Sequence, residues 1–396
     1  MARSLWLVLL AAAASAQEEA PPDWRVSLGA AREACSRLNY RDASEKAAAA
    51  VAAAEAVPGN EAGVLESLRL LTAVERSRGN YAEAARAVAR ALDVSAALRG
   101  PASQESAALL SEMAALERSQ GCLEQALETV RKAITMRESA PGLRAEELAR
   151  DVTTAAMLEI KLDRTDSARA GLERAVELWN QAAPGDSQAL PAIEALANLH
   201  RNASDYASAE PLLLYALRLR EAATGPDGPE VIALVDSLAY VYFGMRRFPE
   251  AEGMYKRLLD LWEKAAGQEH PMRALTLDKM AEFYSFQQRY EEGEKAASEA
   301  LAMRTRMHLA SLNQTGRFIL MQAKLTDAAD LFRRAVAIGD LAAAPDDAMD
   351  PLLRVYAGIL REQKHPDEAK ILEQRVKDAL IRKGDREGRL PSPVSK

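Results

Sequence analysis

Four histidines and two cysteines are the side chains of this 396-residue chain best suited to chemistry, and their spacing argues against it. His200, His270, His308 and His365 stand far apart. None pairs with another His or Cys at metal-ligand spacing, and no HExxH pattern occurs. A glycine-rich phosphate loop and a GxSxG turn are also missing. The acidic pairs Glu291-Glu292 and Asp346-Asp347 read as solvated turn and helix-start residues. The sequence therefore offers no catalytic residue, no metal site and no cofactor site. What does recur is arginine. Arg76, Arg118, Arg201 and Arg361 follow one another at intervals of 42, 83 and 160 residues, near whole multiples of one period. Guanidinium forks suit carboxylates, so the question becomes what places them in register.

The period belongs to the whole chain. Taking Tyr81 as an anchor, its equivalents fall at Tyr40, Leu123, Thr165, Tyr206, Phe248, Tyr290, Leu325 and Pro366. Successive anchors are 41, 42, 42, 41, 42, 42, 35 and 41 residues apart. Three positions after each anchor stands a small residue: Ala43, Ala84, Ala126, Ala168, Ala209, Ala251, Gly293, Ala328 and Ala369. A second column, nine before the anchor, runs from Ala31 and Thr72 to Gly316 and Ala357. A third, ten after, is alanine except at Leu258 and Val376. Between units lie breakers: Pro58-Gly59, Gly100-Pro101, Pro141-Gly142, Pro184-Gly185, Gly225-Pro226, Gly267 with Pro271, and Pro345. The one missing breaker, around 303–310, coincides with the one short interval, where seven residues are lost. Each unit thus reads as a helix, a tight turn, a second helix and a longer loop. Small side chains at the columns let the two helices cross at about 8–10 Å.

These columns resemble the tetratricopeptide repeat, with its small–aromatic–small–small pattern on two helices. The 42-residue length and the loops at 225–229 and 267–271 are similar to the longer repeats of kinesin light chains, most clearly over Leu238–Glu263. The resemblance implies an all-α right-handed α-solenoid of about nine helix pairs over residues 25–383, the ninth acting as a polar cap. It implies a fold and leaves the partner open. No heptad coiled coil stands upstream, so a motor-subunit role is not implied.

The flanks are short. Arg3, the apolar run Leu5–Ala14 and the small-x-small site Ala14-Ser15-Ala16 read as a signal peptide over residues 1–16. An acidic lead covers 17–24, and residues 384–396 read as a disordered tail. The expectation is an exported protein, periplasmic or secreted and of bacterial-envelope type, with no membrane span after cleavage. Its Cys35 and Cys122 sit two units apart, too far for a disulfide. Net charge is −7, which argues against a nucleic-acid partner. Hydrophobic residues make up 48% of the chain but aromatics only 5%, so the core must be built mainly from alanine and aliphatic side chains.

Function then rests on the groove that first helices line. Positions five, eight and twelve before each anchor share a helical face. They bring forward Arg69, Arg76, Arg118, Asn198, Arg201, Asp236, Tyr240, Phe243, Asp278 and Glu282 as partner-binding candidates. Arg69, Arg76 and Arg118 would hold acidic groups, and Tyr240 and Phe243 an apolar anchor. The leading expectation is a non-enzymatic scaffold for a partner protein or extended peptide. The alternative is a sensor whose curvature responds to a small molecule or glycan.

Overall fold

The computed structural model describes residues 23–386 except 101, 343 and 345, and among these residues there is no strand. The expected signal peptide, residues 17–22 of the lead and residues 387–396 of the tail lie outside them. By its internal contacts the chain divides into two compact units, the first ending at Leu212 and the second beginning at Leu213. Unit 1 holds α1 (Trp24–Ser36), α2 (Tyr40–Glu55), α3 (Glu61–Ser77), α4 (Tyr81–Arg99), α5 (Gln104–Ser119) and α6 (Leu123–Ser139). It continues with α7 (Ala145–Lys161), α8 (Thr165–Ala182) and α9 (Leu190–Asn202). The division falls within α10 (Tyr206–Thr224). Unit 2 holds α11 (Ile232–Gly244), α12 (Phe248–Ala266), α13 (Pro271–Phe286), α14 (Tyr290–Met321), α15 (Leu325–Leu341), α16 (Asp346–Glu362) and α17 (Pro366–Arg386). From α1 to α9 and again from α11 to α17, each helix packs on the next. The fold is an all-α repeat solenoid, and its α17 runs three residues beyond the predicted end of the repeats.

One turn recurs. The residue two before each anchor has positive φ: Leu38, Gly79, Gly121, Asp163, Ser204, Arg246, Gln288, Ala323 and Lys364. The N–H of the following residue reaches back to the preceding helix, as Asn39 does to Ala34 O at 3.0 Å and His365 to Leu360 O at 2.8 Å. This left-handed closure satisfies carbonyls that a helix end would otherwise leave open. The three small columns lie at the crossings it creates. Ala43, Ala84, Ala126, Ala168, Ala209, Ala251, Ala328 and Ala369 are all wholly buried. At Gly316 a β-carbon would stand 2.5 Å from Phe332 Cε2, so no larger residue fits without moving the ring.

Two features depart from the simple unit. No glycine or proline occurs between Gly293 and Gly316. There the expected loop is replaced by continuous helix, and α14 runs for 32 residues. Its front part packs Ala300 and Met303 with Ala274 and Leu277, while Leu309 joins the cluster around Phe332. Two helices that separate units would have are thereby one. The last helix also keeps Ile371, Leu380 and Ile381 more than half exposed among its many charged side chains.

Joints between neighbouring helices use charge as well as apolar area. Buried Glu75 accepts from Ser44, from Asn80 Nδ2 at 2.8 Å and from Arg78 Nη1 at 2.9 Å. Burial pushes its carboxyl up, but those bonds and the Arg78 charge hold it below the usual range. Arg137, only 3% exposed, donates to Asp151 at 2.5 Å and to Glu147. In unit 2, Glu252 binds Arg289 and Lys256, each at 2.7 Å.

Candidate functional site

First helices present different faces in the two units. In unit 1 the face is arginine-rich, and most of the arginines are already answered. Arg32 pairs with Glu66 at 2.7 Å, Arg69 with Glu105 at 3.1 Å and Arg76 with Glu112 at 3.7 Å. Burial pushes Glu112 up, while Arg76 and Arg69 pull it down, so both guanidinium groups act on it. The latter two pairs have the same register. Arg69 and Glu105 are 36 residues apart, as are Arg76 and Glu112. A first helix therefore donates to the first helix of the next pair at a fixed offset.

Arg118 is the next arginine in the column of Arg76, and the residue 36 further on is Thr154. Both line a cavity of about 280 Å³ formed by α5, α7, α8 and the start of α9. Arg150 and Lys161 line it too, with Met157 and Pro191 as apolar wall, and no carboxylate does. Arg118 and Lys161 make no side-chain hydrogen bond or ion pair among the described residues. Among the described residues Arg150 donates only to the neutral Gln188 Oε1, at 2.7 Å. The Thr154 hydroxyl is turned to its own helix, donating to Arg150 O at 2.9 Å. Trp179, another wall residue, is buried, and its indole N–H has no hydrogen-bond partner among the described residues. The cavity thus concentrates positive charge and donors in an otherwise acidic chain.

In unit 2 the face is aromatic and acidic. Phe243 lies 5.3 Å from Phe286, 5.9 Å from Phe283 and 6.4 Å from Phe248, ring centre to ring centre. Tyr240 is 51% exposed and Phe286 55%. Asp236 is answered by Lys279 at 2.6 Å, and Asp278 by both Nη atoms of Arg304. Glu282 is exposed. The Tyr255 hydroxyl beneath this face is pushed up to about 12, first by burial and then by the charges of Asp236 and Glu282.

The ten predicted residues are divided between the two units and differ in how they are paired. Arg69 and Arg76 are held by glutamates of α5, the first helix of the next pair. Arg118 stays open, joined by Arg150 and Lys161, which the three chosen columns missed. Asn198 is half-buried, and Arg201 reaches Asn202 Oδ1 at 3.4 Å. Of the unit 2 residues, Tyr240 and Glu282 reach solvent, Phe243 helps to form the ring cluster, and Asp236 and Asp278 are paired. Cys35 and Cys122 are free thiols. Among the described residues no three His, Cys, Asp or Glu side chains gather as metal ligands would.

Two family models, both described as tetratricopeptide repeat, match residues 192–230 and 230–306. The buried columns and left-handed turns recur in the hairpins on either side of that segment. Among solved structures, the chain is similar to BtubC (BKLC) from P. vanneervenii at 19% identity and TM-score 0.47, over 58% of this chain and 91% of that one. It is similar to the apo form of RapI at 11% identity and TM-score 0.48, over 71% and 97%. A tetratricopeptide repeat protein from Parabacteroides merdae ATCC 43184 aligns at 16% identity and TM-score 0.42, over 83% and 98%. No curated protein matches the sequence.

Proposed function

We propose that this chain, a tetratricopeptide repeat protein, is a non-enzymatic scaffold that holds a partner protein or an extended peptide on the faces of its first helices. The observation that carries the reading is the aromatic face of unit 2. Tyr240 and Phe286 stand more than half exposed beside the partly covered ring of Phe243. Large rings left in water beside a packed cluster are what partner surfaces use as anchors. Affinity capture from cells making the tagged protein, read by mass spectrometry, tests it. Tyr240→Ala together with Phe286→Ala should reduce recovery of the main partner about tenfold, since two anchors are truncated. Equal recovery by the variant, with its helix content intact, would remove this face from the argument.

Export belongs to the same reading. Its support is the Arg3, Leu5–Ala14 and Ala14-Ser15-Ala16 pattern. Edman sequencing of protein recovered outside the cytoplasm should begin at Gln17. A chain retained in the cytoplasm with residues 1–16 intact would refute export and leave the scaffold role standing.

A further inference from the structure

We propose that the cavity around Arg118 reads acidic side chains of an extended partner segment, supplying by binding the carboxylate that position 154 lacks. The inference rests on the scaffold reading and names the chemistry of one stretch of the bound partner. Its ground is the register of the arginine face. Arg69 and Arg76 each meet a glutamate 36 residues on, at Glu105 and Glu112. Arg118 instead meets the place of Thr154, whose hydroxyl proton is spent on Arg150 O. The same cavity adds Arg150, bonded among the described residues only to Gln188, and Lys161, which has no partner among them. A group of cations that the chain's own carboxylates leave unanswered, in a protein with net charge −7, is a place for an anion from outside.

The layout also sets the length of that partner. Arg150 and Lys161 are eleven residues apart on α7, so their backbones are separated by roughly 16 Å along the helix axis. One carboxylate does not span that distance. Met157, more than a third exposed, lies between them, with Pro191 on the facing wall. In an extended chain, residues four apart lie about 13 Å from each other and point the same way, as does the residue midway. The segment that fits has an acidic side chain, an apolar one two residues on and a second acidic one after two more: Glu-x-Leu-x-Glu. Thr154→Glu should rebuild within the chain the pair seen at Arg76 and Glu112, and so close the site.

The test is calorimetric titration of the full mature chain with acetyl-Ser-Glu-Ser-Leu-Ser-Glu-Ser-amide, whose capped ends carry no charge. Binding at least tenfold tighter than that of the Gln-for-Glu peptide, weakened at least tenfold by Thr154→Glu, supports the proposal. Arg118→Gln and Lys161→Gln, both at exposed positions, should weaken it similarly and serve if Thr154→Glu disturbs the helix content. Equal affinity for the Gln peptide, unaltered binding by a folded Thr154→Glu, or no heat at millimolar peptide would overturn it. Glutarate is titrated alongside as a free dicarboxylate. If glutarate binds as tightly as the peptide and displaces it, the partner segment is refuted in favour of a small anion. Capture of the cellular partner by a Thr154→Glu chain that gives no peptide signal difference would sink this pocket while leaving the scaffold intact.

Discussion

Units 1 and 2 use the same alanine columns and differ in what is most prominent beside them. Unit 1 joins its hairpins through buried charge. Glu75 sits among Ser44, Arg78 and Asn80, and Arg137 sits between Asp151 and Glu147. Unit 2 joins its hairpins α11–α12 and α13–α14 through rings, with Phe243 and Phe248 each meeting Phe283 and Phe286, and Tyr255 against Phe283. Small residues fix how closely helices approach and are indifferent to the filler. The filler decides what the surface can offer. Charged joints need a partner at a fixed offset, so a single missing glutamate leaves a cation open. Ring joints are satisfied by area and leave edges in water.

The largest effect should come from removing the centre of the ring joint. Phe283 is 1% exposed and touches Phe243, Phe248, Tyr255 and Tyr284. Phe283→Ala should cost about 4 kcal/mol through lost burial and the cavity left behind. Hydrogen exchange read by mass spectrometry should show faster exchange in α11–α14 and no change in α5–α8. Loss spread evenly over both units would mean that the two fillers do not act locally.

The counterpart in unit 1 is Arg137→Met, which leaves Asp151 buried without its cation, while half-buried Glu147 keeps Arg144 at 3.0 Å. A loss of about 3 kcal/mol is expected, with faster exchange confined to α5–α8. Adding Asp151→Leu and Glu147→Gln should recover most of it, because an apolar joint of similar volume replaces an ionic one at little cost. Failure to recover would show that the charges themselves specify the joint.

Acid separates the two kinds of joint further. In unit 2 the bonds from Arg289 and Lys256 hold Glu252 down at about 2 against burial, and the residue is 18% exposed. A carboxyl lowered on folding adds stability that is present above its unfolded value and disappears as pH falls toward about 2. Glu252→Gln should therefore cost on the order of 2–3 kcal/mol near neutral pH. The gap between variant and wild type should close on acidification. Asp151 in unit 1 has the opposite sign: burial pushes it up despite Arg137, so its ionisation opposes folding as pH rises through the raised value. A pH-independent gap for Glu252→Gln, read by exchange in α12–α14, would remove this distinction.

Much of the fold was legible because close helix crossings tolerate few residue types. The column through Ala43, Ala84 and Ala126 shows in the sequence for the same reason that it is buried in the structure. The fused helix α14 was half legible. The absent breaker marked the place, but only the uninterrupted run between Gly293 and Gly316 accounts for continuous helix rather than a shorter loop. The site was less legible. Positions five, eight and twelve before the anchor describe one helix, whereas the state of an arginine depends on the next pair. Comparing Arg76 with Glu112, and then Arg118 with Thr154, is a test that the sequence alone permits once the offset of 36 is known. The ring cluster has no such offset. Phe286 joins Phe243 across a helix pair because both lie near helix ends beside a turn, a juxtaposition that a single-helix face does not reveal.

The smallest effect sharpens a contrast in the turns. Unit 1 places glycine at two of its left-handed positions, Gly79 and Gly121, and the four such turns of unit 2 place none: Arg246, Gln288, Ala323 and Lys364. A side chain in that conformation costs about 1–2 kcal/mol. Glycine removes this strain but loses about 0.5–1 kcal/mol of backbone freedom on folding. Ala323→Gly should accordingly stabilise unit 2 by about 0.5 kcal/mol. Gly121→Ala, where an added β-carbon meets nothing within 4 Å, should destabilise unit 1 by a similar amount through backbone strain alone. Equilibrium unfolding in urea, with exchange to assign the change to a unit, checks both. Opposite signs would show that the nine turns share one backbone requirement whatever fills the joints beside them. A stabilising Gly121→Ala would mean that the requirement is set locally in each hairpin.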